Sequence, residues 1–457
     1  MKREHIFAHY EQDATRYWKL KEGGYASPMS VFQGDEITFH ISNSRSYYDV
    51  FVYHEGAGRR LVKEIANLRG ALPPIPEFGY RDGFDWPATV GFRIPHDWKS
   101  GVYIASFPTA QGIREILFVV RPRVPAAPVL LTIETNTYAA YNPVGGKSLF
   151  HYLSTDRTHS DLVTFERPLQ PDIMGGFYAW DQFITSWLDA EGYSADYCVN
   201  ADHDREPDIL DNYAAHLRIG HGEYTSREEC EQLQRFVARG GNLIVLAGNS
   251  FSHLVETRDN GRQLFCAKTR YKKHPLGTPE DPHTSLMRGI DNLRQRTIGV
   301  SYTAAVHAKT TTPGVFIAPT TEEYGFFRVS RPEHWAFEGT GLEEGDEFGR
   351  EDSIVGVECD GGDVEFRDGK PYFTGSDGIS PHYRIIAIGD AEDHGFNADL
   401  GIHYDRFYAT IAVNETEFKG TVFTAATMEW SHGLYRDDGP VARITRNVLN
   451  RLGGSLT

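Results

Sequence analysis

The chain has 457 residues, 40% of them apolar and 24% charged, with 46 basic against 63 acidic side chains and a net charge of −17. That apolar share fills a sizeable core, which excludes disorder from low hydrophobicity, and a prior of roughly 150 residues per domain allows up to about three domains. The acidic balance argues against nucleic acid or an anionic membrane surface as partner, because phosphate recognition needs clustered Lys and Arg.

Basic clusters occur only in short runs such as residues 268–273. The opening residues (MKREH) lead into polar sequence without an apolar core, so no secretory signal is expected. No run approaches the roughly 18 apolar residues of a membrane helix. Cys198, Cys230, Cys266 and Cys359 stand far apart with no CxxC pair, as expected of a reduced, cytoplasmic protein.

Residues 36–42 (EITFHIS), 48–53 (YDVFVY), 101–107 (GVYIASF) and 113–120 (IREILFVV) read as short strands separated by turn clusters. They predict a small antiparallel β-sandwich over residues 1–124. A proline-rich linker follows at 121–128 (RPRVPAAP). Residues 129–133 (VLLTI) then form a continuous apolar run, the mark of a strand buried on both faces of a parallel sheet.

Residues 180–191 are predicted as a helix with Phe183, Ile184, Trp187 and Leu188 on one face, and 193–199 as a following strand. Ser226 to Glu229 is a capping box opening a helix whose stripe is Cys230, Leu233, Phe236 and Val237. Gly240 and Gly241 end that helix, and residues 242–247 (NLIVLA) give another buried strand. Residues from about 260 to 415 are irregular and read as insertions carrying β-hairpins. A last strand is expected at 421–426 and a closing helix at 440–452, with Pro in its first turn. Strands alternating with helices predict a doubly wound α/β domain over 129–457.

Ligands of such sheets bind beyond the carboxyl ends of the strands. Three polar, glycine-bearing segments are expected there as loops: 135–146 (TNTYAAYNPVGG), 220–224 (GHGEY) and 248–251 (GNSF). The helix, double glycine and strand before GNSF resemble the approach to the cysteine elbow of class I glutamine amidotransferases, but no cysteine follows. GxSxG, phosphate-binding loops, HExxH and zinc-spaced Cys/His sets are all missing. His221 and Glu223 share one side of an extended backbone and can serve either chemistry or capping of the next helix. Tyr138 and Tyr141 would ordinarily pack; as phenolates they bind Fe(III), after losing a proton from a group of pKa about 10.

Taken in order, SGVY (100–103), TNTYAAYN (135–142), GHGEYTS (220–226) and GGNLIVLAGNSF (240–251) resemble the large subunit of N,N-dimethylformamidase and its relatives. The resemblance implies an Ig-like β domain followed by a glutamine-amidotransferase-like α/β domain that carries most of the site. It implies a mononuclear Fe(III) held by two tyrosinates and one glutamate, and hydrolysis of a small N-substituted amide by metal-activated water. Carried over, Glu223 is the carboxylate ligand, Tyr103 one tyrosinate, and Tyr138 or Tyr141 the other, with loop lengths favouring Tyr141. His221 and Asn249 would stand near the iron-bound water, and Glu358 would be the general base. A homo-oligomer or a small partner subunit is the assembly it allows, with neither nucleic acid nor membrane as partner.

Two other readings compete. One is a non-catalytic module binding a carbohydrate or small ligand in an aromatic cleft (Phe150, Phe177, Tyr224, Phe251). The other is a metal-free hydrolase with Glu358 or Glu223 as base.

Overall fold

The computed structural model describes residues 14–169, 176–268, 286–304, 325–393, 403–435 and 439–454; most of the basic run at 268–273 lies outside them. It is a mixed α/β, strand-rich protein with several sheets. By contact it divides into two compact units. Met1–Ala127, Thr135–Arg205 and Glu256–Cys266 make the first; Pro128–Glu134, Glu206–Val255 and Ala267–Thr457 make the second. Among the described residues no helix is long and apolar enough to cross a membrane. The four cysteines are buried thiols.

In the first unit, Gly23–Ser27, Glu36–Ser42 and Val90–Arg93 form a three-stranded sheet. A five-stranded sheet runs Ser30–Phe32, Gly112–Arg121, Gly101–Thr109, Tyr47–His54, Arg60–Arg69. Alternating apolar residues of both sheets, including Ile37, Phe39, Val50, Val52, Tyr103, Phe107 and Phe118, bury one shared core. The expected antiparallel arrangement needs one correction: Ser30–Phe32 pairs parallel with Gly112–Arg121. Thr135–Tyr141, expected as a loop, is a helix whose seven residues are all buried. Arg167 holds the turn after it. Its guanidinium, 0% exposed, donates to the carbonyls of Ala139, Val144, Lys147 and Thr164.

In the second unit, one sheet runs Val129–Ile133, Ala215–His221, Asn242–Gly248, Val422–Ala425, Phe407–Asn414, Arg384–Ala391, Phe327–Val329, Glu347–Phe348. The first four strands are parallel, as continuous apolar burial on two faces requires. Beyond Val422–Ala425 the pairing turns antiparallel. The segment read as insertions therefore supplies two long strands of the main sheet. The helix Arg227–Arg239 joins two parallel neighbours. Ser226 caps it by accepting the Glu229 N–H at 3.1 Å, and Gly240, at φ 117°, ends it in a left-handed turn that suits glycine. The helix Pro440–Leu452 buries Val441, Ile444, Val448 and Leu449 and starts on proline.

Candidate active site

The carboxyl ends of the parallel strands are occupied by Glu134 after Val129–Ile133, by His221 to Glu223 after Ala215–His221, and by Asn249 after Asn242–Gly248. A fourth contribution comes from Cys359–Gly361. Thr427, just past Val422–Ala425, bridges to Cys359, while Met428 N–H donates to Glu358 O at 3.2 Å and Asp360 N–H to Ala426 O at 2.9 Å. This crossing brings Glu358 and Asp360 to the strand ends. It passes so close to Gly248 that a Cβ there would lie 2.4 Å from Met428 N and 2.5 Å from Glu358 O. The chain after it turns through two non-glycine residues at positive φ, Asn249 (48°) and Phe251 (57°). Such conformations cost energy and persist where the surroundings impose them.

Four of the residues expected at the site meet here. His221 Nε2 lies 3.2 Å from Glu358 Oε2 and 3.5 Å from Glu223 Oε2. Asn249 Nδ2 donates to the same Glu358 Oε2 at 3.1 Å and stands 3.4 Å from His221 Nε2. Two N–H groups thus converge on one carboxylate oxygen. His221 is 2% exposed, Glu223 5% and Asn249 7%, so these charges interact across little water. Burial alone would depress the imidazole. The hydrogen bond to Glu358 and the negative fields of Glu358, Glu223 and Asp360 outweigh it and hold His221 above its ordinary value. The side-chain cap of the following helix is Ser226.

Several residues that shape this site were not singled out in the sequence. His253 Nε2 faces Glu223 Oε1 at 3.5 Å, and its ring stacks on Tyr224 at 5.3 Å. Arg218, fully buried, pairs with both oxygens of Glu134 at 2.6 and 2.7 Å and with Glu229. Phe251 lies over its guanidinium at 4.8 Å. This cluster packs directly behind the GHGE turn: a Cβ on Gly222 would sit 2.9 Å from Glu134 Oε1. Arg294 and Asp360 form a buried pair at 2.6 Å beside Asn249. The one available signal was spacing, since Glu358 and Asp360 lie two apart and share a strand face.

Tyr103, Tyr138 and Tyr141 belong to the first unit. Tyr103 sits in the shared core, stacked on Trp98 at 4.8 Å, with its hydroxyl donating to Lys99 O at 2.8 Å; burial pushes its phenol upward. Tyr138 is buried, and its hydroxyl donates to Asp181. Tyr141, also buried, packs against Phe150 at 5.2 Å. Phe150 and Phe177 lie in the first unit, and Tyr224 and Phe251 in the second.

The family model described as "N,N-dimethylformamidase beta subunit-like, C-terminal" matches residues 48–442. The chain is also similar to the N,N-dimethylformamidase beta subunit of Alcaligenes sp, at 27% identity over 217 residues. That match covers 38% of this chain and 28% of the relative's own length. With so much of its length matched, the chain belongs to the N,N-dimethylformamidase beta subunit-like family.

Proposed function

We propose that this protein is an iron-dependent hydrolase of a small N-substituted amide, built as a β-sandwich (1–124) followed by a glutamine-amidotransferase-like α/β domain (129–457). The observation that carries the reading is the convergence of His221 Nε2 and Asn249 Nδ2 on one oxygen of Glu358 beside Glu223, in a chain of this family. Buried titratable groups gathered at strand ends cost stability and mark functional sites.

The donor chemistry fits a hard trivalent ion. Glu223 offers a buried carboxylate. Among the described residues no three His, Cys, Asp or Glu side chains form a group that could hold a metal, so phenols are the remaining hard donors. Tyr141 is the phenol proposed for that role, with Tyr138, whose hydroxyl donates to Asp181, as the alternative. Tyr103 fits least, since it is packed in the core with its hydroxyl committed to Lys99 O. When bound, the ion polarises the amide carbonyl and acidifies coordinated water.

The chain's own groups divide the proton work. Glu358 takes the proton of the attacking water, its carboxylate held through Oε2 by Asn249 and His221. His221 holds a proton at Nε2, which the departing amine needs in order to leave. Small, weakly polar amides are the substrate class, in an assembly that includes either further copies of this chain or a small partner subunit.

Iron analysis with a visible spectrum tests the reading. Stoichiometric iron with a phenolate-to-iron charge-transfer band, both lost in Glu223→Ala while the fold survives, is the expected result. Full retention of iron in that variant would remove Glu223 from the ligand set. A colourless, iron-free protein that still binds small ligands would make it the non-catalytic module, and chelator-resistant hydrolysis would make it the metal-free enzyme.

A further inference from the structure

Behind Asn249 lies a second polar cluster that the proposed chemistry does not use. Asp360 is 0% exposed and Arg294 is 3% exposed. Arg294 Nη2 donates to Asp360 Oδ1 at 2.6 Å, and its Nε donates to the carbonyl of Ser250 at 2.7 Å. Asp360 Oδ2 accepts the Ser250 N–H at 3.1 Å. The one ion pair therefore grips both the N–H and the C=O of the residue at the centre of the strained turn.

Thr303 links that grip to the asparagine side chain. Its hydroxyl stands 2.8 Å from Asp360 Oδ1 and 3.0 Å from Asn249 Oδ1, while Arg294 Nη2 donates to it at 3.1 Å. Ser252 Oγ also donates to Asn249 Oδ1. Hydroxyls gather on the Oδ1 side and a carboxylate on the Nδ2 side. A carboxylate can only accept, so the asparagine amide has one favourable orientation, with Nδ2 toward Glu358.

We propose that Arg294, Asp360 and Thr303 are positioning residues that hold the strand-end turn in its left-handed conformation and aim Asn249 Nδ2 at Glu358. Asn249 at φ 48° and Phe251 at φ 57° are conformations that a free loop would leave. The buried ion pair on the Ser250 backbone, with Thr303 and Ser252 on the amide oxygen, over-determines them. The kinetic arm of the test rests on the hydrolase reading; the spectroscopic arm does not.

Thr303→Val replaces the hydroxyl by a methyl of the same shape, and Thr303→Ser keeps the hydroxyl. In protein labelled with [15N]asparagine, with the Asn249 side-chain signals identified through Asn249→Asp, Thr303→Val should shift those signals and Thr303→Ser should return them. Signals unmoved by Thr303→Val would overturn the proposal. With N,N-dimethylformamide as probe, Thr303→Val should lower kcat about tenfold at nearly unchanged KM, as displaced catalytic groups do, and Thr303→Ser should recover it. Equal kcat in Thr303→Val and the unaltered protein, or no recovery in Thr303→Ser, would also overturn it. If the unaltered protein does not hydrolyse the probe, the hydrolase reading fails and the side-chain signals alone decide this proposal.

Discussion

Replacing Arg218 with Met removes the cation that Glu134 and Glu229 share in a buried cluster. The guanidinium is 1% exposed and both carboxylates 0%. Taking one partner from a buried ion pair costs about 3–5 kcal/mol, because the remaining charge is stranded without water. Here two carboxylates lose the same guanidinium, so the upper part of that range is expected. At about 2–4 °C per kcal/mol for a unit of this size, a loss of about 4–5 kcal/mol should lower Tm by roughly 8–20 °C.

The triple variant Arg218→Met, Glu134→Gln, Glu229→Gln keeps no carboxylate deprived of its guanidinium and should recover most of the loss. Calorimetry at pH 8 on the single and the triple variant separates the causes. A loss below about 1 kcal/mol at pH 8, or a triple variant no more stable than the single one, would refute the argument that this is a charge effect rather than lost packing.

Two further outcomes follow from the same geometry. Glu358→Gln keeps the shape and an acceptor for Asn249 but cannot take a proton; amide hydrolysis should fall about 10²–10⁴-fold with the fold intact, and a variant as fast as the unaltered protein would remove Glu358 as base. His334, 1% exposed at its side chain, accepts the Ala336 N–H at its Nδ1 at 3.2 Å, and burial pushes it down to about 4 against the pull of Glu415. The folded protein thus refuses a proton that the unfolded chain accepts near pH 6.5, so stability is whole above that pH and drains away as pH falls towards about 4. Denaturant titrations should show this slope weakened in His334→Gln, and an unchanged slope would mean that His334 does not carry it.

The parts of the fold that were legible are those whose pattern is local. VLLTI, NLIVLA and the stripe of Arg227–Arg239 show their burial within a few residues. The strand Ala215–His221 (AHLRIGH) was not legible, because His216, Arg218 and Gly220 interrupt its apolar run. All seven residues are nonetheless buried, since Arg218 meets Glu134 and Glu229, and His216 lies 3.4 Å from Thr132 Oγ1. Glu134 and Thr132 each lie 84 residues from their partners, beyond any such window, and the short spacing from Arg218 to Glu229 does not by itself announce a pair. The same holds for the site. His221, Glu223 and Asn249 stand in short motifs at strand ends, whereas Arg294 and Thr303 reach Asn249 only through the folded chain.

Directly after the strand Asn242–Gly248 this chain places an amide, in a turn that leads into a further strand, His253–Arg258. Asn249 takes the first turn position after Asn242–Gly248, in the left-handed conformation at φ 48°. An amide nitrogen cannot attack a carbonyl, but it can donate. The turn therefore fixes a hydrogen-bond donor, Asn249 Nδ2, on the Glu358 carboxylate. On the hydrolase reading the attacking oxygen must then come from water, and a water needs a base. Glu358, crossing the strand ends within 3.1 Å of Asn249 and 3.2 Å of His221, is the carboxylate the fold supplies there. The strain held at Asn249 and the charge buried at Glu358 thus serve one arrangement, and relaxing either one should disable the other's contribution.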